Sequence, residues 1–177
     1  MNFRAPLRLP WLLCLSAVVF FADRLTKTWV VDHIPLGSHR PVIPDVFYLS
    51  HWLNEGAAFS IFADSTSPHK VRLALIAFTI VAVLVVLGAL ILLGSRINLT
   101  TIALALVLGG ALGNLHDRIL YGSVVDFIEV HIFSYHWPDF NVADSSIVIG
   151  ACLLMLDSIL PSRRPNSAPE KSISPSE

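Results

Sequence analysis

The chain has 177 residues, of which 54% are hydrophobic and only 14% charged, with a formal net charge of −1. Soluble domains are roughly 45–50% apolar and about a quarter charged, and a small soluble core cannot hide several unbroken apolar runs of bilayer-spanning length, so a soluble globular domain is excluded. The near-neutral charge and a pI of 6.6 exclude a basic nucleic-acid surface.

The first apolar run, 11–31, follows Arg4 and Arg8, which is the layout of a secretory signal sequence. No small-x-small cleavage site follows it. Asp23, Arg24 and Lys27 come instead, and apolar character resumes through Trp29, Val30 and Val31, which favours a retained helix. Cys14 has no small residues just before it, so a lipoprotein-type signal is disfavoured too. Segment 32–69 contains Pro41, Val42, Ile43, Pro44, Val46, Phe47, Tyr48 and Leu49 and reads as extended structure or short strands, since each Pro denies the residue before it the helical region.

The clearest span is 71–93, interrupted only by Thr79 and Gly88, with Arg72 near its start. It is long enough to cross about 30 Å of hydrocarbon. The short polar stretch 94–98 forces the next run, from Leu99, to be its antiparallel neighbour, and Gly109, Gly110 and Gly113 permit close backbone approach there. Segment 120–140 lies outside the membrane again, and the last run, 142–160, is just long enough to span. The expected fold is an all-α membrane protein with four transmembrane helices at about 11–31, 71–93, 99–117 and 142–160, plus a small extended or β-like extracytoplasmic segment between the first two. Residues 1–161 are expected to form one domain, and 162–177, rich in Pro and Ser, a disordered cytoplasmic tail.

Orientation is read from Lys and Arg in the short flanking segments. Arg4, Arg8, Arg96, Arg163, Arg164 and Lys171 fall on one side of the four-span arrangement, against Arg40 and Lys70 on the other with Arg72, Arg118 and Lys27 near its boundary, a modest bias. Both termini are therefore expected in the cytoplasm, and segments 32–69 and 120–140 on the outer face. Cys14 and Cys152 sit in apolar runs without ligand spacing and read as small core residues, not as a disulfide or zinc site. The seven histidines include no His-x-x-x-His pair, so no metal is expected, and no Gly-x-Ser-x-Gly or Gly-x-Gly-Asp motif is present.

Charges in membrane spans are expensive, about 2.5–3.5 kcal/mol each at a helix centre, and call for an explanation. Here Asp23, Lys27, Asp117, Arg118, Asp126 and Asp144 gather toward one side of the bilayer. Asp126, between Val125 and Phe127, and Asp144, at the start of the last helix, come from elements that leave and re-enter the membrane together. Two carboxylates in a partly desolvated site do not both ionise readily; one holds a proton while the other acts as a base, as in an aspartic-protease dyad. Blander readings stand beside this one. Asp144 also suits a helix N-cap, Asp126 a loop carboxylate, Asp117 and Arg118 an interfacial charge pair, and Asp23 and Lys27 an i, i+4 salt bridge. Asn54, Asn114 and Asn141 could orient water or substrate, or act as turn and cap residues. Two non-catalytic functions also fit intramembrane charges: a small transporter, which should carry polar groups near the midplane of several helices, and an assembly subunit, in which the charges only join helices. The apolar second helix speaks against the transporter.

Five blocks occur in order: Asp23-x-x-Thr26-Lys27; Asn54-x-Gly56-Ala57-Ala58-Phe59; Gly109-Gly110-Ala111-x-Gly113-Asn114-x-x-Asp117-Arg118; Val124-Val125-Asp126-Phe127; and Phe140-Asn141-x-Ala143-Asp144. In this order and spacing the chain resembles the lipoprotein signal peptidases, the signal peptidase II family. The resemblance implies an aspartic endopeptidase of the bacterial plasma (inner) membrane, without cofactor or metal, with Asp126 and Asp144 as the catalytic pair. It implies that Asp23, Lys27, Asn54, Gly110, Asn114, Asp117, Arg118 and Asn141 support the site or substrate. It further implies a prolipoprotein substrate whose future N-terminal Cys carries a diacylglyceryl group and is cut on the N-terminal side of that Cys. The expected partners are this substrate and membrane lipids, not nucleic acid, with the enzyme a monomer. Segment 32–69, with Phe47, Trp52 and Phe59, is expected to clamp the substrate as a cover.

Overall fold

The computed structural model describes residues 8–56 and 68–160. In chain order these form α1 (Leu9–His33), β1 (His39–Ile43), β2 (Phe47–Asn54), α2 (Pro68–Leu93), α3 (Leu99–Leu120), β3 (Val124–Ile132), β4 (Tyr135–Phe140) and α4 (Val142–Ile159). All four helices are long and apolar enough to cross a membrane; α4, the shortest at 18 residues, spans about 27 Å at 1.5 Å per residue.

Local chemistry sets the helix ends. Pro10 lies in the first turn of α1, where a missing N–H costs nothing. Ile34, which precedes Pro35, is driven to extended angles (φ −120°, ψ 119°) and stops that helix. Helix α3 begins with a capping box, in which the Asn98 side chain accepts from Thr101 N at 2.9 Å and the Thr101 hydroxyl accepts from Asn98 N at 3.0 Å. It ends at Gly122, whose φ of +86° suits only glycine and whose N–H returns to Asp117 O. Arg72 of α2 then donates to the free carbonyls of Arg118 (2.9 Å) and Ile119 (3.0 Å), tying α2 to the end of α3.

Helix α3 is the centre of the bundle and packs against the other three. At the end nearest the 94–98 connection, Leu12, Leu90, Leu104, Ala105 and Leu108 form an apolar cluster. At the opposite end Val30 and Ile34 of α1 meet Val125 and Phe127 of β3. Helices α1 and α3 therefore run in the same direction, with polar side chains between the two apolar layers. The outward faces remain apolar, as at Phe78, Leu84 and Leu92 of α2, which suits acyl chains and not water. Cys14 and Cys152 lie on these exposed faces and not in the core, because the bundle is too thin to bury every apolar position of its outer helices.

The extended segment expected after the first helix is present as β1 and β2, but it is half of a larger element. The region 120–140, expected only as an outer loop, supplies β3 and β4, and all four strands pair antiparallel in the order β1-β2-β3-β4. The pairing of β2 with β3 sets Trp52 opposite Asp126 and Asn54 opposite Val124. Residues Ala57, Ala58 and Phe59 of the second sequence block, part of the expected cover, and the tail 162–177 lie outside the described residues.

Candidate active site

Asp126 reaches the site from β3 and Asp144 from the first turn of α4. The reason α4 starts where it does also aims the second carboxylate. Asn141 is its N-cap, accepting from Asp144 N at 2.9 Å, and Asp144 Oδ2 accepts in return from Asn141 N at 3.3 Å. Asp144 is thus the third residue of a capping box and not the N-cap considered from the sequence. Its other oxygen, Oδ1, accepts from Asn114 Nδ2 of α3 at 2.7 Å.

Asp126 is 3% exposed. It accepts from Asn54 Nδ2 at 2.9 Å and from Asn141 Nδ2 at 2.8 Å, so Asn141 touches both carboxylic residues. Asn141 Nδ2 also lies 3.3 Å from Asn114 Oδ1, completing an amide bridge from Asp126 through Asn141 and Asn114 to Asp144. Burial, and next the negative charge of Asp144, push the Asp126 carboxyl up to about 7, against the hydrogen bonds of Asn54 and Asn141. A carboxyl placed this way carries a proton close to neutral pH, which an isolated surface aspartate does not.

Behind the carboxylates lies a charge layer. Lys27, 1% exposed, donates to Asn114 Oδ1 at 3.0 Å and pairs with Asp23 Oδ2 at 2.8 Å and Asp117 Oδ2 at 2.9 Å. Asp23 Oδ1 accepts from the Ala143 N–H at 3.0 Å, one of the free donors at the start of α4. Arg24 closes the layer with an ion pair to Asp117. The i, i+4 bridge expected for Asp23 and Lys27 is present, but it is one edge of a two-acid, two-base network joining α1, α3 and α4. Arg24 was missed as a site residue. The available signal was its charge inside an apolar run beside Asp23.

A cavity of about 500 Å³ opens over this framework, lined by Asn54, Asn114, Arg118, Asp126, Asp144 and Ser145 on its polar side. Trp137, Pro138 and Phe140 of β4 and Ile147, Val148 and Ile149 of α4 form its apolar wall. Arg118 reaches it from the end of α3 while donating to Gly56 O at 3.1 Å. Asp23, Lys27 and Asp117 do not line the cavity; they hold the elements that do. Gly110 is also away from it, at a crossing so close that a Cβ there would collide with Ala143 O and Ser146 Oγ of α4.

Four membrane-length helices and a two-carboxylate site at one end of the bundle, with Asp126 buried and Asp144 partly so, define a multi-pass membrane protein with the parts of an enzyme. A family model described as signal peptidase (SPase) II matches residues 15–160, and the chain belongs to that family. Among its curated relatives, the lipoprotein signal peptidase of Pseudomonas aeruginosa (strain UCBPP-PA14) is 46% identical over 151 residues, covering 85% of this chain and 88% of the relative. That of Pseudomonas putida is 48% identical over 151 residues, covering 85% and 86% respectively. A solved bacterial membrane enzyme structure aligns with a TM-score of 0.69 at 30% identity, covering 84% of this chain and 87% of that one.

Proposed function

We propose that this protein is a membrane-embedded aspartic endopeptidase that removes the signal peptide of prolipoproteins, cutting on the N-terminal side of a diacylglyceryl-modified Cys. The observation that carries this reading is the amide bridge joining Asp126 to Asp144 at the mouth of a half-apolar cavity.

Asp144 takes a proton from a water molecule as its oxygen attacks the scissile carbonyl carbon, and Asp126 donates its proton to the carbonyl oxygen. The tetrahedral diol then collapses: the C–N bond breaks, the amine nitrogen of the Cys takes up a proton from Asp144, and a hydroxyl proton of the diol returns to Asp126. Both carboxyls end in their starting states. Arg118 supplies positive charge beside the developing negative charge. The acyl chains of the substrate lie along the apolar wall formed by Ile147, Val148 and Ile149, and this anchoring holds the peptide bond in register with the carboxylates. The enzyme sits in the inner membrane with both termini in the cytoplasm and acts as a monomer at the outer face.

The test is turnover of a prolipoprotein peptide, with and without its diacylglyceryl group, by purified protein in detergent. The modified peptide is expected to be cut just before the Cys and the unmodified one at least tenfold more slowly. Added hydroxylamine is expected to trap no hydroxamate, since water attacks directly. A hydroxamate product would mean an acyl-enzyme and would rule out this chemistry.

A further inference from the structure

The sheet carries a second cluster, on strands that the catalytic reading uses only as scaffold. His131 of β3 and His136 of β4 are directly paired across the hairpin, and Glu129, two residues before His131, shares its face of the strand. Their ligating atoms lie within 4.8 Å of one another. Glu129 Oε1 is 2.8 Å from His131 Nε2 and 3.6 Å from His136 Nε2, and His136 Nε2 is 3.4 Å from Asp139 Oδ1. The two contacts of His136 are long for hydrogen bonds to a carboxylate. The Glu129–His136 separation is close to that of neighbouring ligands on a tetrahedral ion, roughly 3.3 Å for donors about 2.0–2.1 Å from zinc.

The surroundings point the same way. Asp139 Oδ1 is buried and accepts no hydrogen bond among the described residues, while its Oδ2 is held by Ser50 Oγ at 3.0 Å. The second oxygen of Glu129 is held by His39 Nδ1 at 3.0 Å, the kind of outer hydrogen bond that orients a ligating carboxylate. The Tyr48 ring packs between His39 and His131, with centroids 5.0 and 4.9 Å away. A search for helical His-x-x-x-His spacing does not find such a site, because the ligands come from two strands.

We propose that Glu129, His131 and His136 form a binding site for a divalent transition-metal ion of the zinc class, with Asp139 beside His136 as a neighbouring carboxylate. Two imidazoles with one carboxylate suit zinc and its neighbours and not magnesium or calcium, which prefer all-oxygen ligands. His136 and Asp139 flank Trp137 and Pro138, which line the cavity together with Asp139 itself, so a bound ion fastens β4 to β3 and stiffens one wall of the peptidase cavity.

The experiment uses full-length protein without a histidine tag, treated with EDTA and exchanged into chelator-free detergent buffer. Titration with ZnCl2 by calorimetry is expected to show one saturable site per chain, with a raised thermal midpoint, while MgCl2 produces neither. His131→Gln and His136→Gln are each expected to weaken zinc binding at least tenfold while keeping the metal-free circular dichroism spectrum. His136 is about half exposed, so its variant carries the test if His131→Gln folds poorly. No saturable zinc binding, equal binding of magnesium, or zinc binding undiminished in His136→Gln would overturn the proposal.

Discussion

Asn141 serves two ends with one side chain: its carbonyl caps α4 while its amide reaches Asp126 and Asn114. These uses are separable, because serine is also a good N-cap but lacks the amide. Asn141→Ser is therefore expected to keep stability to within about 1 kcal/mol yet lose roughly 10–100-fold in turnover, whereas Asn141→Ala loses both. Thermal melts and initial rates on the same preparations check this. Asp126 gives a pH expectation. Its folded-state value of about 7 stands above its ordinary 3.8, so folding takes up a proton in between. Its contribution to stability is fully present below about pH 4 and is lost as pH rises through 7. Asp126→Asn cannot ionise, so its melting temperature is expected to fall less between pH 5 and 8 than that of the parent. If Asp126 is the acid of the reaction, kcat/KM of the parent also falls above about pH 7.

At the level of elements, the helices were legible and the sheet only half so. Long apolar runs need no partner to be recognised, and their observed limits, Leu9–His33, Pro68–Leu93, Leu99–Leu120 and Val142–Ile159, differ from the expected ones by a few residues. Strand pairing is non-local. Val124–Ile132 is rich in β-branched residues, but that it extends the sheet containing Phe47–Asn54 depends on partners seventy or more positions earlier in the chain. The carboxylates and asparagines announced themselves by being polar beside apolar runs, whereas their bridging amides follow from the capping box and the pairing of β2 with β3. The crossing of α3 and α4 gives a third expectation. Gly110→Ala forces a methyl group against Ala143 O and Ser146 Oγ, should cost about 1–3 kcal/mol, and should displace Asp144 with the start of α4. A denaturation midpoint unchanged from the parent would show that the crossing relaxes freely.

Over the whole molecule, apolar packing and charge are arranged in layers, with the Asp23, Arg24, Lys27 and Asp117 network between the apolar cluster near 94–98 and the sheet. Removing one member of a buried ion network leaves its partners uncompensated, at about 3–5 kcal/mol. Lys27→Met is thus expected to destabilise the bundle and to lose activity in proportion to unfolding, unlike a change at the carboxylates themselves. The measurement that bears most directly on the function is turnover of a diacylglyceryl-modified prolipoprotein by Asp126→Asn and Asp144→Asn, each compared with the parent at equal folded concentration. Both variants are expected to keep the parental fold and to lose about 1,000-fold or more of the activity, as expected when an acid or base that acts in the transition state is removed. A folded variant of either kind that turns over within tenfold of the parent would contradict the assignment of Asp126 and Asp144 as the catalytic pair.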